Sequence, residues 1–104
     1  MAERRYIWVI DQRGTRLPFS KGTLVTSVTA TGVTPQQAYG VAEAVEDTLF
    51  GQDRDLIHVD ELVGWIEKEI ARQLGSPAAE AWSSWVDVRR RGDPIIVLIG
   101  GATG

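Results

Sequence analysis

The segment YIWVIDQRGTRLPFSKGTLVTSVT, residues 6–29, changes its hydrophobic period partway along, and the position of that change decides the fold. Tyr6 to Asp11 are aromatic and β-branched and read as a strand; Gln12, Arg13, Gly14 and Thr15 supply a turn, and Arg16 and Leu17 return as a short antiparallel partner. Pro18 ends the pairing, and Ser20 offers a side-chain oxygen to a helix that opens behind it. Leu24, Val25 and Val28 then recur at helical spacing. Thr23, Val25, Thr26, Val28 and Thr29 favour a strand by propensity, so the helix rests on periodicity and capping prevailing over β-branching.

Three more helices follow with clearer punctuation. Thr34, Pro35 and Gln37 place an N-cap, a proline in the first turn and a capping-box glutamine ahead of Ala38, Val41, Ala42, Val45 and Leu49, and Gly51 closes the helix. After the polar run GQDRD, a helix from about Val59 carries Leu62, Val63, Ile66, Ile70 and Leu74 on one face and ends at Gly75. Ser76 and Pro77 open the last one, in which Ala78, Ala81, Trp82, Trp85 and Val86 are expected to turn inward before Gly92 and Pro94. The expectation is a mainly α domain over residues 1–93, a small N-terminal β-hairpin plus a four-helix bundle.

Residues 94–104, PIIVLIGGATG, have a different character. Ile95 to Ile99 form an uncharged β-branched run set directly before glycines, the form of a buried parallel strand entering a phosphate-binding loop. Gly101 and Gly104 fill the first half of a P-loop pattern, and the Lys and hydroxyl residue that complete it lie outside the sequence. The reading is the first strand and partial P-loop of a second domain, cut within its loop.

Bulk properties restrict the classes of function. The chain of 104 residues suits one domain, and a net charge of −3 argues against general binding to nucleic acid or to an anionic membrane. The absence of Cys excludes disulfides and thiolate metal sites, and with no signal-peptide or membrane-span pattern the expected location is cytoplasmic.

Few side chains point to chemistry. His58 is the only histidine; its neighbours Asp55, Asp60 and Glu61 do not make a zinc ligand set, and an N-cap role accounts for it. The Ser and Thr residues lack a base partner, so no catalytic residue and no metal ligand is assigned. Trp82 and Trp85, three apart, suit the bundle core or a seam with a following domain. Arg89, Arg90 and Arg91 favour the negative end of the last helix, and with Arg13, Arg16 and Lys21 they also offer guanidinium and ammonium groups for phosphate.

LPFSKGTLVTSVTATGVTPQQAYGVAEAVEDTL, IHVDELVGWIEKEI and AEAWSSWVDVRRRGDPIIVLIGGATG, taken together, resemble the N-terminal part of the 2-phosphoglycerate kinase family, in which an ATP-cone domain leads into a P-loop kinase domain. PFSKG at 18–22 and the junction RRRGDPIIVLIGGATG at 89–104 carry most of the likeness. The resemblance implies a regulatory ATP or dATP site between hairpin and helices. Val9, Gly14, Pro18 and Phe19 match the cone motif, whereas Asp11, Gln12 and Thr23 stand where the motif has cations. The implied nucleotide-binding residues are Val9, Arg13, Ser20, Lys21, Arg90 and Arg91, with Asp11 expected to repel phosphate.

Two functions follow. One is nucleotide sensing in a kinase that makes 2,3-bisphosphoglycerate from 2-phosphoglycerate, with Mg²⁺ entering only through the kinase domain and this chain alone inactive. The other is a helical docking module with no small ligand, packing on the kinase domain or another subunit. Self-association stays open, because an apolar strand at 95–99 seeks a partner.

Overall fold

A computed structural model describes residues 7–11 and 13–92, with side chains through Val88. Gln12 and the expected strand and half-loop at 94–104, including Gly101 and Gly104, lie outside the described residues. The elements run β1 (Trp8–Ile10), β2 (Arg16–Pro18), α1 (Lys21–Thr29), α2 (Pro35–Gly51), β3 (Leu56–His58), α3 (Val59–Leu74) and α4 (Ser76–Gly92). The mainly helical architecture agrees with the sequence reading, and the sheet differs from it.

The hairpin forms, with Val9 opposite Leu17 and Ile10 opposite Arg16. A third strand then joins it: Leu56–His58 pairs parallel to β1, giving the order β2-β1-β3. Trp8 N–H donates to the Asp55 carbonyl at 2.8 Å, leading the chain into this pairing. The β3 segment escapes a periodicity reading because it is three residues long, follows a polar run, and pairs with a strand from the far end of the sequence. Its centre, Ile57, is 1% exposed and its partner Val9 is fully buried, so one face of the sheet lies against the helices.

α1 is a helix despite its threonines. Ser20 adopts extended backbone and its hydroxyl accepts from Thr23 N–H at 3.1 Å. Thr26 and Thr29 donate their hydroxyls to the Gly22 and Val25 carbonyls at 3.1 and 2.7 Å, so these side chains are satisfied within the helix. Leu24 and Val28 then reach the core.

In α2 the Thr34–Gln37 capping box is complete, each side chain bonding the other's backbone N–H, and Ala38, Val41, Ala42, Val45 and Leu49 are all buried. Leu62, Val63, Ile66 and Ile70 of α3 face them. His58 caps α3, its Nδ1 accepting from Asp60 N–H at 3.2 Å, with Asp60 and Glu61 in the first turn where the helix dipole favours negative charge.

α4 needs one correction. Its buried stripe is Ala79, Trp82 and Val86, while Ala81 is exposed. Position 81 lies about 100° around the helix from Trp82, the large side chain that fixes which face turns inward. Trp82 is fully buried, and Trp85 stacks on it with ring centroids 5.6 Å apart.

Candidate functional site

Of the described side chains that the sequence marks for phosphate, Ser20 and Lys21 stand at the start of α1 and Arg13 in the β1–β2 turn. An α-helix leaves its first N–H groups without intrahelical partners and presents a partial positive charge there. Ser20 takes one of those donors, at Thr23.

Lys21, the first residue of α1, is turned onto α2. Its Nζ donates to the Tyr39 hydroxyl at 3.2 Å and lies 4.4 Å from the Tyr39 ring centroid. Glu46 and Glu43 complete the arrangement at 3.5 and 3.8 Å. The Tyr39 hydrogen bond, with the charges of Glu46 and Glu43 behind it, raises the Lys21 ammonium above the usual lysine range. Tyr39, Glu43 and Glu46 follow i, i+4, i+7 spacing, a stripe the sequence does display. What the sequence conceals is that α1 lies beside it.

Arg13 sits in the turn with an exposed side chain. The turn is built by Asp11, whose Oδ1 accepts from Arg13 N–H at 2.9 Å and Thr15 N–H at 3.0 Å. Gly14, at φ +83°, donates its N–H to the Asp11 carbonyl at 3.0 Å. Asp11 is only 7% exposed. Read in sequence as a charge repelling phosphate, it is in the structure a carboxylate already engaged by two backbone donors, and that is a structural reason for an acid at this position.

The remaining sequence-derived site residues are distributed as follows. Val9 is part of the core, so its side chain is a packing group beneath the sheet. Arg90 and Arg91 belong to the last turns of α4, and their side chains lie outside the described residues. Arg16 stacks over Trp8 on the outer side of the hairpin, 5.7 Å from the ring centroid.

A second polar cluster lies at the β3–α3 junction. Arg54 binds both carboxylate oxygens of Glu61, at 2.6 and 2.9 Å, donates to the Leu56 carbonyl at 3.2 Å, and rests 5.6 Å from the Trp65 ring centroid. The guanidinium holds Glu61 below the usual carboxylate range. Nearby, Val45, Thr48, Gln52, Trp65, Lys68 and Glu69 line an open cleft of about 240 Å³ between α2 and α3. Among the described residues no group of three or more His, Cys, Asp or Glu is placed to hold a metal ion, and no helix is long and apolar enough to cross a membrane.

Comparison with known proteins adds an independent observation. The model of the family described as "ATP cone domain" matches residues 7–91. A 2-phosphoglycerate kinase of Methanopyrus kandleri is 37% identical over 95 residues, covering 91% of this chain and 29% of that protein. The 2-phosphoglycerate kinase of Methanothermobacter thermautotrophicus is 38% identical over 87 residues, 84% of this chain and 28% of its own length. That of Pyrococcus furiosus is 32% identical over 99 residues, 94% of this chain and 33% of its own. The chain thus spans about a third or less of the length of these relatives. No solved structure matches it.

Proposed function

The chain belongs to the ATP cone domain family, and from that premise we propose that it binds ATP or dATP as the regulatory domain of a 2-phosphoglycerate kinase. The observation that carries the reading is the extent of the match: residues 7–91 run from the first described core residue through the described strands and helices into the last turn of α4. The phosphates lie at the N-terminus of α1, where the first N–H groups of a helix lack intrahelical partners and the dipole favours an anion. Ser20, Lys21 and Arg13 supply the local polar and cationic groups, and Arg90 and Arg91 contribute from α4.

In the intact protein this domain precedes a P-loop kinase domain begun by residues 94–104. That domain moves the γ-phosphoryl group of ATP to the free hydroxyl of 2-phosphoglycerate, giving ADP and 2,3-bisphosphoglycerate and releasing the hydroxyl proton. Phosphoryl transfer depends on positioning and on neutralising phosphate charge by Lys and Mg²⁺, which the kinase domain supplies. Residues 7–92 carry no part of that chemistry, and the present chain alone is inactive.

Two observations favour a docking module without a ligand. Lys21 is engaged by α2, and Asp11, Gln12 and Thr23 stand where the cone motif has cations. Calorimetric titration with ATP, dATP and ADP, with and without Mg²⁺, separates the two. The expected result is saturable binding that Arg90→Ala/Arg91→Ala weakens. No heat at millimolar nucleotide, with unchanged Trp fluorescence, leaves the docking module.

A further inference from the structure

Lys21 is the first residue of α1, near the N-terminal end of the helix dipole, and its ammonium is held by groups of α2. Tyr39 provides a hydroxyl at 3.2 Å and a ring face at 4.4 Å, and two carboxylates of α2 stand within 3.8 Å. All three residues come from one stripe of a single helix. The Lys21 and Glu46 side chains are 24% and 26% exposed and that of Glu43 is 53% exposed, so the contact is reachable by solvent and by a competing anion. An exposed or half-exposed ion pair of this type is weak and gives way to a group of higher charge. A nucleotide's phosphates are such a group. They meet a donor on a flexible four-carbon stem whose root is the first residue of the helix.

We propose that the contact of Lys21 with Tyr39, Glu43 and Glu46 is an autoinhibitory latch: the ammonium is stored on α2 when the site is empty and released to phosphate when nucleotide binds. The inference rests on the nucleotide-binding reading above. Its consequence is that Glu43 and Glu46 set the nucleotide concentration at which the domain responds, because every binding event must first displace them. The latch also links α1 to α2, so its release changes the restraint between two packed helices at the moment the ligand arrives.

The test is calorimetric titration of ATP into the 104-residue chain and into Glu43→Gln/Glu46→Gln, each repeated on a Lys21→Met background. The latch predicts that the double substitution tightens ATP binding by about threefold to tenfold while Lys21 is present, and by less than twofold once Lys21 is Met. Tyr39→Phe, which keeps the ring and removes the hydroxyl, gives a smaller gain of the same sign. An equal gain on both backgrounds shows that the two glutamates act only through their long-range field, and overturns the latch while leaving nucleotide binding intact. An unchanged or weaker affinity with Lys21 present overturns it too. Absence of binding in every protein removes the nucleotide reading, and the latch with it. Circular dichroism of each variant confirms that the helices persist, since all the substituted side chains are at the surface.

Discussion

The indole Nε1 of Trp82 donates to the backbone carbonyl of Val63 at 3.4 Å, from a side chain that is fully buried. This contact joins α4 to α3 within their shared core. Trp82 also stacks with Trp85, so a large ring, its polar atom and its aromatic neighbour are all satisfied at one place.

Trp82→Ala is therefore expected to cost about 3–5 kcal/mol, the range for emptying a buried aromatic site, and to unfold much of the population of so small a domain. Trp82→Phe fills most of the volume and drops only the donor; the Val63 carbonyl keeps its own helical position. Its cost is expected near 1–2 kcal/mol. Urea denaturation followed by far-UV circular dichroism checks the order. Equal costs for the two variants remove the argument.

Asp11 leads to a second prediction. Its Oδ1 accepts two backbone N–H groups in the β1–β2 turn, and alanine leaves both without that partner. Asp11→Ala should lose about 1–3 kcal/mol. Asp11→Asn keeps an amide oxygen for the same donors and should retain more than half of that stability. A denaturation midpoint for Asn as low as for Ala indicates that charge, rather than the turn geometry, is what this position needs.

The same residues show what sequence reasoning can and cannot reach. The inward stripe of α2 was legible residue by residue because helical period, N-cap and proline are all local, and one unambiguous long helix obeys them. β3 was not, since its only sequence marks are Leu56, Ile57 and His58 and its pairing partner lies at Trp8 to Ile10. α4 fell between: the period was right, but Ala79 and Ala81 are the same residue type, and only the fit of Trp82 against α3 shows which one turns inward. At the candidate site Ser20 is legible as the cap of α1, and Lys21 as a cation near the hairpin and a member of PFSKG. The engagement of Lys21 by Glu43 and Glu46 was not, because it depends on how α1 lies against α2.

Gly75 supports a third prediction. It sits between α3 and α4 at φ +101° and ψ 170°, a backbone region that is essentially reserved for glycine. A Cβ placed there meets Pro77 Cδ at 3.7 Å, an ordinary contact, so space is not the obstacle. Gly75→Ala should cost about 1–3 kcal/mol from backbone strain alone. Gly64→Ala, in the body of α3 with open space around its Cβ, is the control and should be neutral or stabilising by up to about 1 kcal/mol. If both substitutions behave alike in thermal unfolding, the strain at Gly75 is not real.

Arg54 and Glu61 make the last prediction, which concerns acid. The bidentate guanidinium lowers the Glu61 carboxyl in the folded protein, while in the unfolded chain the group titrates near its ordinary value of about 4.3. A depressed folded value means that the unfolded state binds the proton first. The stabilisation is present in full above the unfolded value and disappears as the pH falls through the lower folded one. The Glu61 side chain is 40% exposed, so solvent screening keeps the contribution within the ordinary surface range of about 0.2–1 kcal/mol. Between roughly pH 5 and pH 3 the wild-type chain should therefore lose stability that Glu61→Gln does not have to lose. The measurement is the urea midpoint of both proteins across that interval and at pH 7. The two curves should be separated at neutral pH, with the wild type higher, and should converge in acid; a constant separation at every pH assigns the effect of the substitution to packing instead of charge.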